Sequence, residues 1–318
     1  MNAKQIRNRF RAFQRQPGFF QRKVCCPVSE EGTPSSFCTE GETLSFLLTE
    51  AATFLLLPTT GFWTYQLEGE EPVIVSDPSG SVLGPGSVCI WSSDDAGVPT
   101  PSIGEFGMSL PSGSFSVDAS RVDGSITDIY LWDMALTSVP VISPSTVSTI
   151  NINTISLLTD ADLSLYTNAS TAYLINIPTL TSVTFPSSAT SPGVSTCSSL
   201  INLDLTSMSL LNYTYVQDCA SLEFMDVRTG GQVVSLGADQ CPSLTIVLLM
   251  TDGTAPSYIG FTDCALSLTT MNDLMVYLES IGFVGTGIFT GGTSATPTGA
   301  GLAAMNSMNS NGATITVN

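Results

Sequence analysis

Histidine is absent from the 318 residues, and basic residues almost disappear after residue 23. Histidine is the commonest general base and metal ligand, so its absence excludes Ser–His and Cys–His nucleophile systems. Carboxylate pairs such as Asp204 with Asp226 are the groups that glycoside cleavage needs. No feature of the sequence places such a pair in a cleft, and we interpret them as surface residues. We therefore predict no catalytic residue, no metal site and no cofactor.

Long apolar runs are missing as well. No run of about 18 apolar residues occurs, so we predict no membrane-spanning helix. The basic N-terminal region lacks the apolar stretch of about 7–15 residues that defines a secretory signal, and we expect the chain to fold in a cytoplasm. Abundant Ser, Thr, Gly, Asn and Pro favour turn-rich β structure over helix bundles.

The few basic residues lie almost entirely at one end. Residues 1–23 contain seven basic residues and no acidic one, a net charge of +7. Residues 24–318 contain only Arg121 and Arg228 against all 27 acidic residues, a net charge of −25. An acidic body repels nucleic acid, so any contact with packaged nucleic acid must come through the basic segment.

We interpret residues 1–40 as a basic arm that anchors the protein to a partner. Four phenylalanines within eleven residues are costly to leave in water, while the bases suit phosphate or an acidic protein. The alternative is a disordered, solubilising tail. The predicted anchor residues are Arg7, Arg9, Phe10, Arg11, Phe13, Arg15, Phe19, Phe20, Arg22 and Lys23.

Residues 41–120 contain short apolar runs that Gly and Pro separate. Many short strands at regular spacing are typical of a small β-sandwich or barrel. We predict strands at Thr43–Leu48, Thr53–Leu57, Phe62–Leu67, Val73–Val75, Val88–Trp91 and Ser114–Val117.

Four cysteines recur at a fixed interval in the second half. Cys197, Cys219, Cys241 and Cys264 are separated by 22, 22 and 23 residues, and the first three open the phrase Cys-x-Ser-Leu. A period of this size predicts a solenoid, whose repeats bury their apolar sides by stacking on one another. We expect the thiols to stack as small apolar residues; disulfides between coils are the alternative.

The same region repeats the phrase L-x-x-L-x-L, with apolar residues at the first, fourth and sixth places. The first positions are 21, 33, 20, 22 and 22 residues apart, and the long step indicates an insertion or a degenerate coil around Leu157–Leu174. Each phrase predicts one short strand on a concave sheet. The instances are Ile126/Ile129/Leu131, Val147/Ile150/Ile152, Leu180/Val183/Phe185, Leu200/Leu203/Leu205, Leu222/Met225/Val227 and Leu244/Val247/Leu249.

Through these repeats, residues 121–318 resemble leucine-rich-repeat proteins of phages, prophages and Bacteroidetes-type cell surfaces. The segments Thr270–Leu278, Gly285–Phe289, Pro297–Leu302 and Gly312–Val317 are similar to the family's C-terminal end. The resemblance implies a repeat solenoid over residues 121–266, closed by a helix–strand–helix–strand cap over residues 267–318. We expect Thr269 or Thr270 to begin the first helix and Gly282 to end it.

The residues that flank the fourth and sixth places of the phrase point away from the core of such a solenoid. We predict that they form a concave face that binds a host-surface glycan or a protein. The alternative is that its apolar members are covered by another subunit of a homo-oligomer or by the chain's own loops. The predicted face comprises Tyr130, Trp132, Asn151, Asn153, Asp204, Phe224, Asp226, Arg228, Leu248 and Met250.

Together these features indicate a non-enzymatic structural protein of a bacteriophage virion, assembled in the host cytoplasm. The arm would attach it to other virion proteins of the capsid or vertex, and the β-rich body would project as a vertex spike or decoration protein. A bacterial cell-surface leucine-rich-repeat adhesin and a tail attachment or receptor-binding protein are the alternatives.

Overall fold

The computed structural model describes most of the chain from Leu44 onward. The predicted anchor arm and Met250 lie outside the described residues. No helix in the described ranges is both long and apolar enough to cross a membrane. Those ranges are 44–48, 52–57, 62–67, 72–75, 81–83, 86–93, 104–109, 115–118, 126–142, 145–228, 232–249 and 255–318.

The described residues between 44 and 118 form eight strands. They comprise all six predicted strands and two that the sequence analysis missed, β5 and β7, which are respectively very short and interrupted by glycine. The strands are β1 Leu44–Leu48, β2 Ala52–Leu57, β3 Phe62–Leu67, β4 Val73–Val75, β5 Ser81–Leu83, β6 Gly86–Ser93, β7 Gly104–Ser109 and β8 Phe115–Asp118.

These eight strands belong to two different sheets. Five of them form an antiparallel sheet in the order β4-β3-β6-β1-β8. The other three, β7, β2 and β5, form one end of a twelve-stranded sheet, here called the long sheet. In that sheet β7 pairs in parallel with β9, which spans Ile126–Met134. Hydrogen bonding in the long sheet therefore joins strands from residues 41–120 to the strands that follow.

From β9 onward the chain winds into a β-solenoid of about six turns. One side of the coils continues the long sheet, and every pairing there is parallel. Its strands are β9, β10 Thr149–Ile155, β12 Thr171–Ile175, β14 Ser191–Ser195, β16 Tyr215–Gln217, β18 Ser235–Asp239 and β20 Tyr258–Thr262.

The other side of the coils carries a second set of shorter strands. β11 pairs with β13, and β15, β17 and β19 form a three-stranded parallel sheet, here called the short sheet. Most coils therefore hold two strands, where the sequence analysis predicted one. The strands are β11 Asp160–Asp162, β13 Ser182–Thr184, β15 Asn202–Asp204, β17 Phe224–Val227 and β19 Ile246–Leu249.

The 33-residue step in the repeat phrase marks a change of sheet. Of the two predicted explanations, the insertion was wrong, and the stretch is a coil with a degenerate phrase. The first two phrases contribute β9 and β10 to the long sheet, and the last four contribute β13, β15, β17 and β19 on the other side. One further phrase, Leu158/Ala161/Leu163, spans β11, and all three of its residues are buried. This phrase was not recognised in the sequence because a small alanine, Ala161, occupies its fourth place. Because both sides of a coil bury alternate residues in the same core, the same phrase occurs on both.

The core consists of side chains that stack at equivalent positions of successive coils. Each residue of the inner row of the long sheet pairs in register with the next, and all are fully or almost fully buried. This row comprises Leu131, Ile152, Leu174, Val194, Val216, Ala238 and Phe261.

A sharp corner follows each long-sheet strand and positions the cysteines. The corner residue of every coil has a left-handed backbone, with φ between 53° and 57°, and even threonine adopts it twice. The next residue points into the core, and this position is occupied by Met134, Ile155, Ile177, Cys197, Cys219, Cys241 and Cys264. The four cysteines are free and buried, which confirms the predicted stack of thiols. Each thiol donates to the carbonyl oxygen two residues before it, at 3.4–3.6 Å.

We expect the thiols of Cys197, Cys219, Cys241 and Cys264 to resist alkylation in the folded protein. The hydrogen bond to Cys219 together with burial raises the pKa of Cys197, and burial raises the pKa of Cys264 to about 12. The thiolate is the reactive form. Hydrogen bonds from Cys197 and Cys241 lower the pKa of Cys219, but its burial keeps the reagent away from it. Iodoacetamide at pH 8 should therefore leave all four unmodified, as read by peptide mass mapping, and should modify all four in urea. Modification of any of them at the unfolded rate would contradict the buried ladder.

The same thiols make the fold sensitive to alkali. The folded pKa values of Cys197, Cys241 and Cys264 lie above the unfolded value of about 8.5, so at these three positions the folded state retains protons that the unfolded state has lost. This contribution to stability is complete below about pH 8.5 and decreases as the pH rises towards 12, by at most about 1.4 kcal/mol per pH unit for each thiol.

The solenoid ends in the predicted helix–strand–helix–strand cap: α1 Leu268–Ser280, β21 Thr286–Phe289, α2 Gly299–Ser310 and β22 Thr314–Val317. β21 and β22 continue the long sheet in parallel. Helix α1 begins one or two residues earlier than expected, because Ser267 caps it by accepting a hydrogen bond from the Thr270 amide at 3.1 Å. It ends as predicted at Gly282, which has φ +70°.

Candidate functional site

The outer face of the long sheet has a regular chemical pattern. Its central row follows the register of the strands, one residue per coil, between inner residues that point into the core. Tyrosine alternates with asparagine or glycine along most of it. In order, the central row is Tyr130, Asn151, Tyr173, Gly193, Tyr215, Gly237 and Gly260.

The glycines of this row make room for tyrosine rings. A Cβ atom at Gly193 would lie 2.5 Å from Cδ1 and 2.8 Å from Cε1 of Tyr173. A Cβ atom at Gly260 would lie 2.8 Å from Cζ of Tyr258, which is two residues earlier in the same strand. Both rings therefore lie across the sheet instead of standing out from it, in the space that a side chain would occupy.

The tyrosines recur on every second coil. Tyr130, Tyr173, Tyr215 and Tyr258 are separated by 43, 42 and 43 residues, which corresponds to about 9.6 Å between strands two places apart. All four are half-buried. Desolvation raises the pKa of Tyr173 and of Tyr258, so their hydroxyl groups stay protonated at neutral pH.

Asn151 is the unusual residue of the central row. It is only 1% exposed, and neither its Nδ2 nor its Oδ1 atom has a hydrogen-bond partner. Its neighbours in register are Tyr130 on β9 and Tyr173 on β12. An unsatisfied buried amide costs about 1–3 kcal/mol, and such groups in native proteins call for a specific explanation.

A polar ladder lies beside this row, where the long-sheet strands meet the corners. Thr154 Oγ1 donates to Asn153 Oδ1 at 3.0 Å and accepts from Asn176 Nδ2 at 3.2 Å, so two neighbouring coils are joined. Further along, Gln217 Nε2 donates to Gln240 Oε1 at 3.4 Å. Trp132 and Asn153 belong to this strip, in register with each other.

The predicted concave face does not exist as one surface. Tyr130, Trp132, Asn151 and Asn153 lie on the long sheet. In contrast, Asp204, Phe224, Asp226 and Leu248 lie on the short sheet, with Arg228 directly after β17. The prediction assumed that all phrases occupy one sheet, and the change of sheet between β10 and β13 separates its two halves.

The short-sheet half contains an ion pair. Arg228 donates to Asp226 from Nη2 at 2.7 Å and from Nε at 3.0 Å. This pairing holds the pKa of the Asp226 carboxyl below its ordinary value, although the residue is only 6% exposed. Asp204 lies in register with Asp226 on the neighbouring strand, so two like charges meet beside one guanidinium group.

Two carboxylates, Asp204 and Asp162, have local structural roles. Asp204 Oδ1 accepts from the Thr206 amide at 2.8 Å, and Asp162 Oδ1 accepts from the Ser164 amide at 2.9 Å. These are turn-stabilising contacts two residues along the chain. Within the described ranges, no three Cys, Asp or Glu side chains are grouped so as to hold a metal ion.

The Asp226–Arg228 pair predicts a pH-dependent effect of the variant Arg228→Gln. A carboxyl with a lowered pKa stabilises the fold above its unfolded pKa of about 3.9, and the contribution is lost as the pH falls. At pH 7 the variant leaves a nearly buried Asp226 beside Asp204 without a cation, so we expect it to unfold at lower urea concentration than wild type. At pH 3 the two urea midpoints should converge. An equal deficit at both pH values would show that Arg228 acts through packing instead.

Comparison with protein-family models, curated proteins and solved structures finds no match to the chain. The function must therefore be inferred from the geometry and chemistry of this protein's own residues.

The sequence analysis identified Tyr130 and Asn151 but missed Tyr173, Tyr215 and Tyr258. The stretch around Tyr173 was interpreted as an insertion or a degenerate coil, and after it only the L-x-x-L-x-L phrase was followed, which had moved to the other side of the coils. The spacing of 42–43 residues between tyrosines is the signal that would have found them.

Proposed function

We propose that this protein is a non-enzymatic structural component of a bacteriophage virion, a capsid-associated vertex spike or decoration protein that displays its solenoid as a binding body. The observation that carries the proposal is the outer face of the long sheet, where tyrosines recur on alternate coils and two of them, Tyr173 and Tyr258, lie over glycines. Rings held flat by the backbone beneath them form an ordered surface at low entropic cost, which favours binding over a purely structural role.

The architecture supports display more than catalysis. Parallel coils with one continuous core present extended surfaces, as repeat proteins that bind partners do. Asp162 and Asp204 accept hydrogen bonds within turns, and Asp226 pairs with Arg228, so these charged side chains have structural roles. The resemblance to leucine-rich-repeat proteins agrees with this role, and we propose membership of that family for the solenoid and its cap.

The attachment role rests on the sequence of the arm, whose residues lie outside the described ranges. The segment of +7 precedes a body of −25, so the two parts suit different neighbours. The arm would bind capsid or vertex proteins and contact packaged nucleic acid, while electrostatic repulsion would keep the body away from the genome. We also propose that the protein assembles as a homo-oligomer in the particle.

Quantitative mass spectrometry of gradient-purified particles tests the proposal. The expected result is a fixed copy number per major capsid protein that survives high-salt washing. Immunogold labelling then separates a vertex or decoration site from a tail site, which would favour the receptor-binding alternative. Absence from particles, together with release from intact bacteria by surface proteolysis, would overturn the proposal and favour a cell-surface adhesin.

A further inference from the structure

We propose that the outer face of the long sheet around Asn151 and Tyr173 binds a neutral oligosaccharide that runs across the strands, along the solenoid axis. The inference rests on the proposed function, because it assigns a ligand class to the surface that the particle displays. Three features of this face support it: the orientation of the tyrosine rings, the unpartnered Asn151 amide, and the charge around these groups.

The rings provide the stacking surface. Pyranose rings have apolar C–H faces and polar edges, and an aromatic ring that lies parallel to a surface presents its face to such a ligand. Tyr173 is held in this orientation because Gly193 lies directly beneath it. The tyrosines repeat every second coil, at about 9.6 Å. A ligand that contacts more than one of them must therefore be an extended chain, which favours an oligosaccharide over a single sugar.

Asn151 provides the polar recognition. Its amide offers a donor and an acceptor, which are the two functions of a sugar hydroxyl group. Both atoms are unpartnered in the free protein and buried between Tyr130 and Tyr173 in register. A ligand hydroxyl that enters when a neighbouring ring turns aside would satisfy the amide, so the cost of the unpaired group in the free state is recovered on binding.

The charge of this face selects for a neutral ligand. Arg228 is the only basic residue within the described ranges, and it follows β17 of the short sheet. On β9, Asp128 lies two residues before Tyr130, and Asp133 lies three residues after it. Sulfated sugars and sugar acids would meet repulsion here without a cation to pair with.

The test uses the purified full-length protein on an array of neutral hexose and N-acetylhexosamine oligosaccharides, with polygalacturonate and sulfated glycans as anionic comparators. We expect binding to at least one neutral oligosaccharide of four or more units, and none to the anionic set. Tyr173→Ala and Asn151→Leu should each weaken it at least about tenfold, roughly the effect of losing one good contact. Phe224→Ala, on the short sheet, is the matched control and should leave the affinity unchanged.

Two further variants separate recognition from folding. Asn151→Leu has the same branching as asparagine and removes an unsatisfied amide, so we expect it to raise the midpoint of thermal unfolding while it weakens binding. Gly193→Ala keeps every chemical group of the site but moves the Tyr173 ring, because the new Cβ would lie 2.5 Å from it. It should weaken binding while circular dichroism remains that of a β protein.

The outcomes distinguish this inference from the proposed function. No binding to any neutral glycan, preference for anionic glycans, or equal loss in the Phe224→Ala control would overturn the oligosaccharide site. Presence of the chain in particles would leave the structural role standing in that case. Glycan binding by a chain that is absent from particles would instead retain the site and reject the virion role.

Discussion

Phe261→Ala is expected to lower the free energy of unfolding by about 4 kcal/mol, the largest effect of any single substitution considered. Phe261 is fully buried, and its ring stacks on that of Phe289 with centroids 6.1 Å apart. It ends the inner row of the coils, directly after Ala238, and contacts the first strand of the cap. Alanine there would leave a cavity that two hydrogen-bonded neighbouring strands prevent from collapsing.

The loss of stability should be concentrated at the junction between the coils and the cap. In a solenoid each repeat is stabilised mainly by its immediate neighbours, so weakening this interface should release the cap before the central coils unfold. Urea denaturation followed by circular dichroism measures the total effect, and hydrogen exchange locates it. Phe224→Ala, which removes a half-buried ring from the outer side of the short sheet, is the control and should cost less than about 1 kcal/mol. Similar values for both variants would contradict the assigned role of the inner row.

Deletion of residues 1–24 is expected to abolish incorporation into particles while the body remains folded. Residues 1–24 include all seven basic residues of the arm and the four phenylalanines of the predicted anchor. The first described strand begins at Leu44. Complementation of a phage that lacks the gene, followed by immunoblotting of purified particles, measures incorporation. Unchanged thermal unfolding of the truncated protein shows that the body is intact.

Two replacement variants identify what the arm contributes. Replacing Phe10, Phe13, Phe19 and Phe20 with serine preserves the charge and removes the apolar contacts. Replacing Arg7, Arg9, Arg11 and Arg15 with glutamine does the reverse. We expect each to reduce incorporation, since the proposed anchor combines burial with charge pairing. Normal incorporation of the truncated protein would reject the anchor, whatever the replacement variants show.

Much of the architecture could be predicted because burial leaves a periodic trace in the chain. The cysteine interval of 22–23 residues indicated stacked coils, and short apolar runs between Gly and Pro, such as Phe62–Leu67, indicated strands. The end of α1 at Gly282 followed from the backbone freedom that a left-handed residue requires. In each case a local rule and the fold agree.

The sheet to which each repeat phrase belongs could not be predicted, since apolar alternation does not reveal which of two sheets a strand joins. Leu158/Ala161/Leu163 and Val147/Ile150/Ile152 follow the same phrase, yet they belong to opposite sides of one coil. That choice depends on how neighbouring coils pair, and it divided the predicted binding face in two.

Burial and periodicity alone therefore specified a coiled, β-rich chain with a helical cap, because every turn must hide the same apolar positions. Three-dimensional pairing was needed to place Tyr173 over Gly193 and to enclose the Asn151 amide without a partner. Residues about 20 positions apart become neighbours only when strands align in register, and the chemistry of the outer face arises from those neighbours.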